Sequence, residues 1–106
     1  MLPNKEEGAV LLDFYGDLLT NHQQEVLIEY YNEDLSMNEI AENSKVSKAA
    51  ISDLIKRSTN QLLEYEKKLG LIKNDKDLSS VIMQMDNSGI DEIRRYAQMI
   101  KEIIRR

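Results

Sequence analysis

Hydrophobic residues recur along this chain at steps of three and four, the spacing that places side chains on one face of an α-helix. A first stripe, between about Lys5 and Leu19, consists of Val10, Leu11, Phe14, Tyr15, Leu18 and Leu19, and a second of Val26, Leu27, Tyr30 and Tyr31. Gly8 and Gly16 fall within the first stripe and weaken that helix by about 1 kcal/mol each relative to alanine. Runs of alternating β-branched residues are absent, and the single proline is Pro3. The pattern predicts an all-α protein.

Polar residues mark where the next helices begin. Thr20 followed by Gln23, and Ser36 followed by Glu39, have the spacing of capping boxes, in which two side chains satisfy open backbone N–H groups reciprocally. The second helix is therefore expected to start at Thr20 and to end over residues 32–34. The third is expected to start at Ser36.

The fourth helix is the longest predicted element. Ser47 is expected to cap its start, and Gly70 is expected to end it in a left-handed conformation. Its buried stripe comprises Ile51, Leu54, Ile55, Leu62, Leu63 and Leu69.

A charged loop over residues 73–77 is expected to separate this body from a helical tail. The tail contains a short fifth helix with Leu78, Val81, Ile82 and Met85, and a sixth with Ile93, Ala97, Ile100 and Ile104. Residues 87–89 are expected to end the fifth helix and to separate it from the sixth. The predicted organisation is a helix-turn-helix domain of about four helices over residues 1–72 and a C-terminal helical extension over residues 73–106. The extension is a candidate dimerisation element.

Residues 36–57, SMNEIAENSKVSKAAISDLIKR, have the spacing of a helix-turn-helix. Two helices that cross closely need a small residue at the crossing, which Ala41 supplies. Val46, Ile51 and Leu54 follow Ala41 at the intervals where apolar side chains seal the wedge between the helices. Val46 is therefore expected to insert into the core.

The turn of this motif is predicted at residues 43–45. Lys45 stands where a glycine is usual, and a left-handed backbone at a lysine costs about 1 kcal/mol. The turn is therefore expected to be slightly altered.

The exposed residues of the motif define a candidate nucleic-acid face, whose members are Ser47, Lys48, Ala49, Ser52, Lys56 and Arg57. Lys48 and Ser52 suit base edges, whereas Lys56 and Arg57 suit phosphates. Asp53 would repel a phosphate unless it meets a cytosine amino group or pairs with Lys56 or Arg57. An ordinary solvated helix face is the alternative interpretation.

The charge distribution limits what this face can bind. The chain has a net charge of −5, yet Lys45 to Asn60 holds four basic residues against one acidic residue, a net +3. Met1 to Leu35 holds one basic residue against eight acidic ones, a net −7. Non-specific affinity for DNA comes mainly from neutralised phosphates, so the thin positive face argues against a free-standing DNA-binding protein of high affinity.

The residues give little support to catalysis. There is no cysteine, the single histidine is His22 in the first turn of a helix, and no phosphate-binding G-x-x-x-x-G-K loop occurs. Neither a metal site nor a cofactor is predicted, and the protein is not expected to be an enzyme. The N-terminus lacks the pattern of a signal peptide, and no run approaches the roughly 20 apolar residues that span a bilayer. A cytoplasmic location is expected.

Residues 11–69 resemble the YlxM family, small bacterial helix-turn-helix proteins associated with the signal recognition particle. The most specific pieces are FYGDLLT, YYNEDLS, ISDLIKR and YEKKL. Residues 20–57 also resemble region 4 of sigma factors. The resemblance implies a cytoplasmic bacterial accessory or regulatory factor of the protein-targeting pathway, with the six face residues on its nucleic-acid side. Lys45 departs from the family's usual turn glycine, and residues after Gly70 match poorly.

Two functions therefore compete. The first is a non-enzymatic accessory factor that binds the signal recognition particle through its RNA, its GTPase protein or both. The second is a DNA-binding transcriptional regulator of the sigma region 4 type. The tail helices carry more apolar surface than one small body covers, which predicts a homodimer. The five tyrosines stand beside leucines at helical spacing and are expected to pack in a core or an interface.

Overall fold

A computed structural model describes residues 2–104, and within that range the chain is helical without any strand. The α-helices are α1 (Lys5–Tyr15), α2 (Asn21–Leu27), α3 (Met37–Ser44), α4 (Lys48–Leu69), α5 (Leu71–Asp86) and α6 (Asp91–Ile104). A 3₁₀ turn over Gly16–Leu18 follows α1, and a π-helical segment over Ile28–Asn32 continues α2. The all-α prediction is confirmed.

The chain divides into two compact units, Met1–Ile72 and Lys73–Arg106. Met1, Arg105 and Arg106, which the predicted domains include, lie outside the described residues. The role in dimerisation predicted for residues 73–106 stays a prediction.

The core of the first unit is formed by α1, α2, α3, α4 and the π-helical segment. Its buried members are Leu11, Leu12, Tyr15, Leu19, Val26, Leu27, Tyr31, Ile40, Ala41, Ile51, Ile55 and Leu62. Phe14, Leu18, Leu63 and Leu69 are exposed, so their predicted burial is wrong, and Leu54 is half-buried. The 3₁₀ turn accounts for Leu18, because three residues per turn no longer keep it on the buried face of α1.

The predicted caps of α2, α3 and α4 are confirmed. The Thr20 and Ser36 side chains accept from the backbone N–H groups of Gln23 and Glu39, and both capping boxes are complete. The backbone N–H of Ser36 donates to the Glu39 carboxylate at 3.0 Å, and this bond holds the pKa of Glu39 below its usual 4.5. The side chain of Ser47 likewise accepts from the backbone at the start of α4.

The π-helical segment places Tyr31 in the core. Its hydroxyl and that of Thr59 in α4 share a buried hydrogen bond of 2.8 Å. Burial raises the pKa of Tyr31 from its usual 10.0, so the hydroxyl stays neutral at physiological pH. The π-helical turn thus directs the Tyr31 side chain toward α4, where its hydroxyl meets Thr59. The helical periodicity of the sequence did not predict this contact.

The charged loop predicted over residues 73–77 is wrong, because α5 begins at Leu71 and runs through these residues without a break. The preceding residue, Gly70, adopts the predicted left-handed conformation at φ 63°. Side chains from elsewhere in the first unit satisfy the first amides of α5: Leu71 N–H donates to the Tyr15 hydroxyl, and Ile72 N–H donates to Glu66. Within α5, Lys73 and Asp77 form an ion pair at helical spacing.

Tyr15 itself donates to Glu66 at 2.6 Å. Burial raises the pKa of Tyr15, and the bond to Glu66 raises it further, so the hydroxyl keeps the proton that it donates.

The second unit contains most of α5 and all of α6. The predicted break at residues 87–89 is confirmed, and the Ser88 hydroxyl accepts from the backbone N–H of Ile90. Ile82 and Ala97 are buried, and Lys101 forms an ion pair with Asp86. Of the stripes predicted for these helices, Leu78, Val81 and Ile104 are exposed, as are Met83, Tyr96, Met99 and Ile103.

Candidate nucleic-acid interface

Helices α3 and α4 form the predicted helix-turn-helix. Ala41 and Ile51 are buried at the crossing, as the sequence predicts, and Ile40 is buried beside them. Lys45 adopts the left-handed conformation at φ 58° and ψ 39°, and its backbone N–H bonds to carbonyls of α3. The turn therefore keeps the backbone path of a glycine turn despite the lysine side chain, at a cost of about 1 kcal/mol.

Val46 does not insert into the core, and this prediction is wrong. Its side chain is 46% exposed. Val46 stands between left-handed Lys45 and the extended cap residue Ser47, and its backbone N–H donates to the Ala41 carbonyl at 3.1 Å. This places Val46 at the rim of the wedge, which Ile51 and Ile55 fill from within.

The six predicted face residues are the cap residue Ser47 and five residues in the first three turns of α4. Ser47, Lys48, Ala49, Lys56 and Arg57 are exposed, and Ser52 is half-buried. Lys48, Ser52 and Lys56 follow one another at four-residue steps, so they share one side of the helix. The structure brings these groups together on one element; their contact with nucleic acid stays a prediction.

Asp53 pairs with Arg57 and not with Lys56. The Arg57 Nε and the Asp53 carboxylate are 2.8 Å apart, one helical turn along α4. Both side chains are mostly exposed, so the pair adds at most about 1 kcal/mol to stability. Its effect is on geometry and charge: the pair orients the guanidinium, uses one of its five N–H donors and neutralises part of the positive face.

An open groove of 480 Å³ continues from Arg57 along α4. It is lined by Gln23, Arg57, Asn60, Gln61, Glu64 and Tyr65, and we call it the amide groove. Gln23 forms the wall from α2, and its Nε2 donates to Gln61 Oε1 at 2.8 Å. This groove was not predicted from the sequence, although Asn60, Gln61 and Glu64 follow Arg57 at steps of three, four and seven.

A second open groove, of 360 Å³, adjoins the start of α4. It is lined by Lys5, Tyr30, Ser36, Met37, Asn38 and Lys48. Lys5 Nζ donates to the Tyr30 carbonyl at 2.6 Å, lies 3.2 Å from the centroid of the Tyr30 ring and is 3.6 Å from Asp34. Lys5 is thus held near Lys48, but its charge is largely satisfied within the protein.

His22 is exposed in the first turn of α2, as predicted. Among residues 2–104, no group of three or more histidine, cysteine or carboxylate side chains is placed to hold a metal ion. No helix in the described part of the chain is long and apolar enough to cross a membrane.

The fold and the exposed α4 define the class as an all-helical helix-turn-helix protein. Residues 4–103 match the family described as "Putative helix-turn-helix protein, YlxM / p13 like", and the chain belongs to this family. The resemblance to the YlxM family is thereby confirmed. The match continues well beyond Gly70, so the expected poor match of the later residues is wrong.

Relatives of this chain cover most of its length. It is 44% identical over 110 aligned positions to a UPF0122 protein of Clostridium perfringens (strain SM101 / Type A), covering 97% of this chain and 98% of the relative. A UPF0122 protein of Malacoplasma penetrans is 44% identical over 86 residues, 80% of each chain. A UPF0122 protein of Clostridium kluyveri is 49% identical over 70 residues, 66% of this chain and 63% of the relative.

Proposed function

We propose that this protein is a non-enzymatic accessory or regulatory factor that contacts nucleic acid through Ser47 and the first three turns of α4. The observation that carries the proposal is the exposed helix-turn-helix surface, on which Lys48, Lys56 and Arg57 lie within one 16-residue segment of net charge +3. Lys56 and Arg57 contact phosphates, while Lys48 and Ser52 lie nearer the start of α4, where such helices meet base edges.

The proposed setting is the bacterial signal recognition particle pathway in the cytoplasm. Support comes from the resemblance to the YlxM family and from the charge distribution. The face is thinly positive, and Asp53 already neutralises part of it. A weak nucleic-acid contact of this kind suits a protein that binds within a larger assembly, where the particle's RNA and its GTPase protein share the interface.

A DNA-binding transcriptional regulator of the sigma region 4 type is the second candidate. The geometry of α3 and α4 favours it, because the left-handed Lys45 and the Ser47 cap present the start of α4 as a recognition helix is presented to the major groove.

The two candidates differ in their dependence on ligand and on salt. The protein is titrated against duplex DNA, the targeting RNA and the assembled RNA–GTPase particle, at low and at physiological salt. The accessory role predicts retained binding to the particle and DNA binding that disappears with modest salt, because few phosphates are neutralised. Sequence-selective binding to duplex DNA at physiological salt would favour the regulator and overturn the accessory role.

Charge reversal tests the site itself. The variant Lys56→Glu/Arg57→Glu is compared with Lys67→Glu/Lys68→Glu, which makes the same charge change on exposed residues near the end of the same helix. The proposal predicts that the first variant loses binding while the second keeps most of it. Equal losses would show that only net charge matters, and unchanged binding in both would leave the face as a solvated surface.

We further propose that the second unit mediates a homodimer through its exposed apolar side chains, among them Val81, Met83, Tyr96, Met99 and Ile103. Sedimentation at a protein concentration of tens of micromolar, roughly the dissociation constant of a weak association, is expected to show a dimer. Met99→Glu/Ile103→Glu is expected to shift it to monomer, whereas Glu102→Gln between them is not. A monodisperse wild-type monomer would contradict this proposal.

A further inference from the structure

The amide groove differs in chemistry from the positive face beside it. Its polar lining consists of the amides of Gln23, Asn60 and Gln61 together with the Glu64 carboxylate, and Arg57 is its one basic member. Such a lining is poorly suited to phosphate, because Glu64 and nearby Asp53 repel an anion. It is well suited to a neutral planar group with several donors and acceptors.

We propose that the amide groove binds an unpaired nucleobase, with guanine preferred, from a strand that contacts α4. The inference rests on the proposed function, because Arg57 belongs both to the nucleic-acid face and to the rim of the groove. A strand whose phosphates lie along Lys56 and Arg57 therefore passes directly beside it.

The hydrogen-bonding groups of the groove match the Watson–Crick edge of guanine. The Asn60 side chain makes no hydrogen bond within the described residues. Gln61 accepts from Gln23 through Oε1, which leaves its amide N–H groups to donate. Guanine offers O6 as an acceptor and N1–H and N2–H as donors. The Glu64 carboxylate accepts from the two donors, and an amide N–H of Asn60 or Gln61 donates to O6.

Tyr65 supplies an aromatic surface. It is half-buried, and its ring is packed against buried Tyr15 with centroids 6.0 Å apart, so stacking a base on it costs little further ordering. Aromatic side chains recognise splayed-out bases by stacking, which a paired base within a duplex cannot offer. At 480 Å³ the groove lies within the range of about 300–1,000 Å³ that small-molecule sites occupy.

Arg57 connects the two surfaces. Its Nε is engaged by Asp53, which leaves four N–H donors on the guanidinium. These donors can hold a phosphate that flanks the bound base. Arg57 therefore lies where the nucleic-acid face meets the amide groove.

The first test uses labelled hairpin RNAs that differ in the loop alone. One loop contains guanines, the second adenines, and the third abasic nucleotides with the same phosphates; a fully paired RNA of equal charge and a DNA copy of the guanine hairpin complete the set. The guanine loop is expected to bind about tenfold more tightly than the abasic loop, the size of effect that one stacked base gives. Equal affinity for the guanine, adenine and abasic loops would overturn the proposal. The DNA copy shows whether a 2′-hydroxyl contributes.

The second test changes the groove and measures base preference. The Glu64 carboxylate only accepts hydrogen bonds, whereas the amide of Glu64→Gln accepts through its oxygen and donates through its N–H groups. This pair matches the N6–H donor and the N1 acceptor of adenine, so the base preference is expected to move from guanine toward adenine. Asn60→Ala is expected to weaken guanine-loop binding severalfold without affecting the fully paired RNA. Glu25→Gln and Asn43→Ala are the matched controls, since both change exposed residues outside the groove.

The outcomes separate this inference from the function on which it rests. If Lys56→Glu/Arg57→Glu abolishes binding while the groove variants leave base preference unchanged, the nucleic-acid function stands and the groove proposal fails. If no nucleic acid binds the wild-type protein or its assembly, both fail. A guanine preference that Glu64→Gln redirects would support both, because a purely structural role for Glu64 does not exchange one base for another.

Discussion

Gly8 lies so close to Tyr31 that a side chain at position 8 would overlap the tyrosine ring. A Cβ at position 8 would stand 2.1 Å from both Cδ1 and Cε1 of the Tyr31 ring. Tyr31 cannot readily move aside, because it is buried and shares its hydroxyl hydrogen bond with Thr59. The glycine that weakens α1 by propensity therefore allows α1 and the π-helical segment to pack.

Gly8→Ala is expected to destabilise the protein by up to about 2 kcal/mol, since an overpacking cost of about 1–3 kcal/mol is offset by a gain of about 1 kcal/mol in helix propensity. Chemical denaturation monitored by circular dichroism measures the change in free energy of unfolding. Gly89→Ala is the control, because a Cβ there meets nothing within 4 Å. A Gly8→Ala protein as stable as wild type would show that Tyr31 yields without cost.

Lys45→Gly is expected to stabilise the protein by up to about 1 kcal/mol. The substitution removes the strain of the left-handed lysine, about 1 kcal/mol or somewhat more. The greater conformational entropy of glycine in the unfolded state opposes this gain by about 0.4–1 kcal/mol. Lys68→Gly, within the last turn of α4, removes the same side chain from a right-handed helix and is expected to destabilise. Thermal unfolding of the two variants should move in opposite directions, and a fall in stability for Lys45→Gly would contradict the strain argument.

Ser58 and Thr59 are adjacent and fully buried, yet they should respond differently to loss of the hydroxyl. Thr59→Val leaves the Tyr31 hydroxyl without its partner, at a cost of about 1–3 kcal/mol. The Ser58 hydroxyl has no partner within the described residues, so Ser58→Ala is expected to be neutral or slightly stabilising. Denaturant midpoints distinguish the two, and similar losses would mean that Ser58 is satisfied in solution.

Asp53→Asn tests the charge at the nucleic-acid face. The substitution removes a carboxylate beside Arg57 and raises the net charge of the segment Lys45 to Asn60 from +3 to +4. Binding to the preferred nucleic acid is expected to tighten about two- to fivefold at low salt, the equivalent of about 0.5–1 kcal/mol for one exposed charge. Glu25→Gln makes the same charge change on α2 and should have a smaller effect. Weaker binding by Asp53→Asn would instead show that the carboxylate is needed to orient Arg57 or to contact a base.

The lowered pKa of Glu39 predicts how the free energy of unfolding changes in acid. Its pKa is lowered from 4.5 by hydrogen bonding to Ser36, so its contribution to stability is present above pH 4.5 and is lost as pH falls through the lower value in the folded protein. Glu39→Gln keeps the acceptor of the capping box but cannot titrate. Its unfolding free energy is expected to fall less steeply below pH 4.5 than that of wild type. Glu42→Gln, an exposed change in the same helix, should retain the wild-type slope.

Local chemistry made part of this fold predictable. The capping boxes at Thr20 and Ser36, the cap at Ser47 and the left-handed Gly70 each depend on residues within a few positions, so sequence spacing was sufficient. The wrong predictions concern positions whose burial or conformation depends on residues that are distant in the sequence. Val46 was expected in the core, but the crossing geometry leaves it at the rim of the wedge.

Residues 73–77 show the same limit in the tail, since their polar composition suggested a loop. The start of α5 is supported by Tyr15 and Glu66, which no local pattern indicates. The amide groove likewise exists because Gln23 of α2 meets Gln61 of α4. The exposed residues of α4 could be identified from the motif alone, but the wall that turns its later part into a groove could not.

The Tyr15–Glu66 contact has a consequence for the order in which the chain acquires its structure. The first two amides of α5 bond to side chains on α1 and near the end of α4, about 56 and six residues earlier in the sequence. During synthesis, the residues of α5 leave the ribosome after both helices, and these amides bond only once α1 has docked on α4. The first turn of α5 is thus completed by a body that must fold first, and a substitution that undocks α1 would leave the Leu71 amide without its partner.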